Sequence, residues 1–148
     1  MIINYFVGYS KMNIVIDTNT FVLNHFNHKG ETKRIVDDCI EKRLRAIYSA
    51  QIEQEVICTL NRYRPSVEFM DYVKIFFQHA TKIEDNLDLK ICKDATDDKF
   101  ISCALLGKAE YIITEDKLLR KLNGYEGIKI KRAVEFYQEN FLPSMNHN

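Results

Sequence analysis

The sequence predicts an α/β fold, a three-layer α/β/α sandwich built on a mostly parallel central sheet. Three observations carry that prediction. Short apolar runs of strand character alternate along the chain with segments whose apolar residues recur at helical spacing. Helical patterns of ten or more residues separate successive strands, which requires crossover connections of right-handed sense rather than hairpins. The 148 residues, 46% hydrophobic and 28% charged with five glycines and two prolines, suit one compact domain with a substantial core.

The elements follow in order. Residues 13–17 (NIVID) read as a short buried strand ending in an acid. Residues 31–43 form a helix on Ile35, Val36, Cys39 and Ile40. Residues 45–49 (RAIYS) make the next strand, and Ser49 is placed to cap a helix from Ala50 to about Tyr63. Its expected buried face is Ile52, Val56, Ile57, Leu60 and Tyr63. Pro65 and Ser66 break and restart the chain, and Val67, Met70, Val73, Phe76 and Phe77 share one face of a helix over 67–80. Two weaker strands are expected at 81–83 and 89–92. An acidic loop, 94–98, opens a helix through Leu106. Residues 110–114 (EYIIT) are a strand, 116–122 a short helix, 128–130 a last strand and 133–141 a final helix. The domain therefore spans 12–141, with an apolar and aromatic extension of unassigned role at 1–11 and a tail at 142–148. No repeat or linker interrupts it.

Composition narrows the function classes. No apolar run approaches the roughly 18 residues that a membrane span needs, and residues 1–11 lack the basic leader and cleavage site of a secretory signal. Cys39, Cys58, Cys92 and Cys103 show no C-x-x-C spacing, so a reduced, cytoplasmic setting is expected. Lys plus Arg equals Asp plus Glu at 21 each, so net charge gives no general attraction to nucleic acid. A polyanion site must come from local clustering or from bound metal.

In a parallel sheet the working groups lie beyond the carboxyl ends of the strands. Asp17 stands at the end of the first strand, Asp116 just after the strand over 110–114, and Asp98 at the start of a helix. Three carboxylates gathered there repel one another by about 4 kcal/mol per pair at roughly 4 Å and an effective dielectric of about 20. A cation offsets that repulsion, and oxygen-only ligands favour Mg²⁺ or Mn²⁺ over zinc. Each acid taken singly has an ordinary alternative as a helix cap. The alternatives differ for Asp98. As a ligand, its replacement by Asn leaves the metal-free protein at least as stable; as a cap, the replacement lowers stability.

Two sets of residues carry a family resemblance. The run Ile14-Val15-Ile16-Asp17-Thr18-Asn19 resembles the V-x-D-T-N signature of PIN-domain nucleases. Residues 94–101 (DATDDKFI) and 109–116 (AEYIITED) resemble the D-x-x-D-D-K-F … A-D-x-I-x-T-x-D block of one PIN subfamily, whose members are described as candidate toxins of toxin–antitoxin pairs. The resemblance covers residues 12–141. It implies a divalent-metal-dependent endoribonuclease that hydrolyses RNA phosphodiester bonds, with Asp17, a helical glutamate, Asp98 and Asp116 as the metal-binding and catalytic carboxylates. Thr18, Asn19 and Thr114 match polar neighbours that orient carboxylates or substrate, and Asp94 and Asp97 match further acids that would assist. Family spacing from Ser49 places the glutamate at Glu55, while the helical wheel puts Glu53 nearer the buried face, so both stay open. The implied partners are an RNA substrate and a small antitoxin whose peptide would block the acidic groove; homodimers are common in the family.

Substrate contact needs cations near the acids. Lys99 and Lys117 each adjoin an expected ligand and stand as phosphate contacts, Arg120 and Lys121 follow one turn on, and Arg62 and Arg64 end the glutamate-bearing helix. Tyr63 and Tyr111 fit core patterns. The four histidines show no zinc or ribonuclease-like pairing, and no Gly-rich phosphate loop is present. A signalling receiver domain would need paired acids after the first strand, and a haloacid-dehalogenase-type phosphatase a D-x-D motif; Asp17-Thr18-Asn19 supplies neither. A PIN fold that binds without cutting remains as the other reading.

Overall fold

The computed structural model describes residues 12–141; the expected extension at 1–11 and tail at 142–148 lie outside the described residues. Five strands, β1 (Asn13–Ile16), β2 (Arg45–Tyr48), β3 (Thr81–Lys82), β4 (Tyr111–Ile113) and β5 (Lys129–Lys131), form one sheet in the order β3-β2-β1-β4-β5. Every neighbouring pair is parallel. In the centre Ile14 lies opposite both Ala46 and Tyr111, and Ile16 opposite Ile113. Ile14, Val15, Ile16, Ile112 and Ile113 are all buried. That unbroken apolar run is what a strand covered on both faces requires.

Seven helices are described: α1 (Thr18–Phe26), α2 (Glu31–Ile40), α3 (Ala50–Asn61), α4 (Val67–His79), α5 (Asp98–Leu106), α6 (Lys117–Arg120) and α7 (Ala133–Asn140). None is long and apolar enough to cross a membrane. From β1 to β3 the chain steps across the sheet in one direction, and from β4 to β5 in the other. Right-handed crossovers then put the helices of the two halves on opposite faces, which makes the three layers. Accordingly α1, α2 and α4 pack on one another, whereas α5 lies against β1, β2 and β4; α7, which follows the last strand and is not a crossover, returns to the first face and packs on α2. The direction of travel reverses between β1 and β4, the place where parallel sheets of this kind open a crevice at their carboxyl edge.

Two differences from the sequence reading have physical reasons. Helix α1 was not expected, because its residues TNTFVLNHF include Thr, Asn and Val, which are weak helix formers, and its buried face is partly polar. Tertiary contacts hold it instead: Phe21 packs its ring on Phe76 and Phe77, Thr20 donates to the Ile113 carbonyl at 3.4 Å, and Asn24 donates to Tyr72 at 3.2 Å. The expected strand at 89–92 does not form. The amides of Ile91 and Cys92 go to a carboxylate, described below, rather than to a sheet ladder.

Candidate active site at the carboxyl edge

Asp17 follows β1 directly, and its amide donates to the Ile113 carbonyl at 2.9 Å, so it is fixed at the seam between β1 and β4. Its side chain is buried, with the residue 4% exposed. Thr114, the residue after β4, links two acids through one hydroxyl. That hydroxyl donates to Asp17 Oδ2 at 2.5 Å and accepts from the Asp116 amide at 3.0 Å. Burial pushes the Asp17 carboxyl up to about 6; the Thr114 hydrogen bond opposes this, and the charges of Glu55 and Asp116 add to it. A desolvated carboxyl with two more acids bearing on it is the situation that a hard cation relieves.

Helix α3 brings Glu55 to this group. Ser49 caps it through the Ile52 amide, and Ile52, Val56 and Leu60 form its buried stripe. Glu55 stands on the flank of that stripe. Its Oε2 accepts from the Thr18 hydroxyl and its Oε1 from Lys99 Nζ at 2.7 Å. Glu53 points elsewhere. It lines a separate groove with Tyr48, Lys74 and Phe77, and its charge adds to burial in raising the Tyr48 phenol. The structure therefore brings Glu55, and not Glu53, to the acids. Tyr63 was expected in the buried face but is exposed, whereas Tyr111 is buried as expected.

The acidic loop divides its carboxylates differently from the sequence reading. Burial pushes the Asp97 carboxyl up to about 6, with repulsion from Asp17, Asp116 and Asp94 adding to it and Lys99 opposing it. Asp98, expected as the ligand, has one carboxylate oxygen committed to the backbone. Its Oδ1 accepts from the Cys92 amide at 2.7 Å and the Ile91 amide at 3.0 Å. Desolvation pushes Asp98 up, but those two amides and the Lys99 charge outweigh it and hold the carboxyl below its ordinary value. The turn Ala95–Asp97 ends and α5 begins between the two acids. Neighbours on a helix point about 100° apart, and the two acids divide: Asp97 is the one whose charge couples to Asp17 and Asp116, while Asp98 spends Oδ1 on the two amides.

The remaining expected residues divide likewise. Asp94 is exposed and caps its turn, accepting from the Thr96 amide at 3.0 Å and the Thr96 hydroxyl at 2.8 Å. Asp116 caps α6 through the Leu118 amide at 3.0 Å while bearing on Asp17 and Asp97. Asn19 and Lys117 are exposed, and Lys99 is tied to Glu55 and to the Thr96 carbonyl. Among the described residues no three His, Cys, Asp or Glu side chains stand close enough to hold one ion between them. Asp17, Glu55, Asp97 and Asp116 thus form an electrostatically coupled group rather than a closed coordination sphere. Their chemistry, oxygen donors only, fits Mg²⁺ or Mn²⁺, which keep several waters of their own, and does not fit zinc.

A sequence model described as the PIN domain matches residues 13–118. An uncharacterised protein of Methanocaldococcus jannaschii is 30% identical over 143 aligned residues, which take in 87% of this chain and 92% of that protein.

Proposed function

Because the chain belongs to the PIN-domain family, whose members are typically nucleases, we propose that it is a divalent-metal-dependent endoribonuclease acting on cytoplasmic RNA. The observation that carries this reading is Asp17, desolvated at the β1–β4 seam with Glu55, Asp97 and Asp116 coupled to it. These four would hold the ion. Mg²⁺ or Mn²⁺ bound there supplies a nucleophilic water at neutral pH and offsets charge on the phosphodiester oxygens. The chain's own residues do the positioning. Thr114 orients Asp17, Thr18 and Lys99 orient Glu55, and Asp98 braces the loop that presents Asp97. Lys99, at the rim of the group, would meet a phosphate once the metal had taken Glu55 from it.

The finer reading is the toxin half of a toxin–antitoxin pair. Residues 94–101 and 109–116, which resemble that subfamily's block, support it. A small antitoxin would then cover the acidic edge, and the toxin would act as a monomer or homodimer. One observation favours a second reading, a PIN fold that binds RNA without cutting it: the Lys99 ammonium already occupies Glu55.

Cleavage of single-stranded RNA by the purified chain separates these readings. With Mn²⁺ or Mg²⁺ the wild type cuts, a chelator stops it, and Asp17→Asn and Asp116→Asn each lower the rate by about 100-fold or more. Equal activity in both variants would mean that the site is wrong or that a contaminant does the cutting. Binding without cleavage selects the second reading.

A further inference from the structure

Helices α1 and α3 leave the acidic group side by side. Thr18, the first residue of α1, donates to Glu55. Phe26, the last residue of α1, meets Tyr63 just beyond the end of α3, with ring centroids 5.2 Å apart at 86°. Each contact joins residues 37 apart in sequence, so the two helices run parallel in fixed register. The offset of eight positions between these contacts spans about 12 Å.

At that far end Phe26 is 65% and Tyr63 46% exposed, and the His25 ring lies between Phe26 and Phe69 at 4.8 and 5.1 Å. A groove of about 350 Å³ runs along the outer face of α3 from Glu55 and Lys99 past Cys58 and Thr59 to Arg62. Arg62 and Arg64 flank Tyr63, are exposed, and pair with no acid among the described residues. The groove ends at Arg62; the next residue, Tyr63, turns its ring to Phe26 at the junction with α1, so a carboxylate, a lysine, an arginine and open aromatic rings lie within one stretch of α3 and the residues that end it. Phosphates suit the cations and nucleobases suit the rings, and both needs are met together by single-stranded nucleic acid. The cleft on the other side of His25, which also holds Glu68, Phe69 and Tyr72, has an acid and no lysine or arginine, and offers phosphate less.

We propose that the α1–α3 face is a subsite for single-stranded RNA, in which Arg62 holds a phosphate and Tyr63 with Phe26 stacks a base about 12 Å from the acids. The identity of the strand rests on the nuclease reading; the subsite itself is tested by binding. The probe is a 2′-O-methyl oligonucleotide of about 12 nucleotides, within the site sizes usual for single-strand binders, titrated into the full chain by fluorescence anisotropy. Tyr63→Leu weakens binding about tenfold and Tyr63→Phe keeps it. Arg62→Gln reduces the slope of log affinity against log salt by about 0.7, the value for one phosphate on a single strand. The probe also slows alkylation of Cys58, the exposed thiol in the groove. In cleavage assays the same variants raise KM and leave kcat unchanged.

Unchanged affinity and salt slope, with Cys58 unprotected, overturn the subsite even where the wild type cuts RNA, and the nuclease reading then stands without it. Binding as expected with no cleavage by the wild type defeats the nuclease reading and keeps the subsite. A Tyr63→Leu chain that changes mass in light scattering while holding its RNA affinity shows a protein interface and overturns the proposal.

Discussion

The Thr114 hydroxyl spends its donor on Asp17 and accepts from the Asp116 amide, so one small side chain sets the geometry of two acids. Asp17 still carries a heavy cost of burial. Its rise from 3.8 to about 6 means that the folded chain holds this proton more tightly than the unfolded chain. Stability of the metal-free protein therefore falls as pH rises from about 4 through about 6, by roughly 3 kcal/mol for this group. Asp17→Asn removes that dependence, and the gap in melting temperature between variant and wild type, measured in a chelator, widens from pH 4 to pH 7. A constant gap would show that Asp17 is already solvated or paired. Asp98 behaves in the opposite sense. Its carboxyl is held low by two amides, so it stabilises above the ordinary carboxylate range and loses that contribution as pH falls through its depressed value. Asp98→Asn keeps an oxygen for the two amides but loses their charge-assisted strength, so in metal-free protein it is expected to lose about 1 kcal/mol, read by denaturant unfolding at neutral pH. A variant as stable as wild type would restore Asp98 as a repelling ligand.

Among the elements, α5 is the one whose placement the site depends on most, since it carries Asp98 and Lys99 and follows Asp97. Gly107 ends it where Ile47 of β2 crosses. A Cβ there would stand 2.4 Å from Ile47 Cγ2 and 3.1 Å from the Cys103 carbonyl, and the branched Ile47 side chain has little freedom to retreat. Gly107→Ala should cost about 1–3 kcal/mol by overpacking; in an Ile47→Ala background, where the clashing Cγ2 is gone, the same change should cost less, and the unfolding curves of the two single variants and the double variant check this. Strands β1, β2, β4 and β5 were legible because apolar runs of their length leave little choice of structure once helices separate them. Helix α1 was not, because Thr18, Thr20 and Asn24 face inward and find hydrogen-bond partners that no periodicity reveals. The same limit applies to the acids. Asp17 and Asp116 were placed by the strand ends they follow, whereas the choice between Asp97 and Asp98 turns on where a short turn gives way to α5. Residue type and spacing do not encode that boundary. The family resemblance singled out Glu55 where the helical wheel favoured Glu53, since a narrower buried stripe than expected leaves the flank free to reach the acids.

For the molecule as a whole, a ligand that binds only the folded state stabilises it by mass action. Mn²⁺ at roughly 100 times its Kd is expected to add about 2.7 kcal/mol, seen as a melting temperature several degrees higher. Asp17→Asn should show little of that rise; an equal rise in the variant would place the ion elsewhere. The central pairing of β1 with β4 has a further consequence for how this chain comes into being. Ile14 and Tyr111 are register partners across almost the whole domain, and Asp17 finds Thr114 only through that pairing. A nascent polypeptide emerging from the ribosome has no assembled acidic edge until residues near 116 have cleared the exit tunnel. Whatever this edge does, the half-made protein is unable to do it.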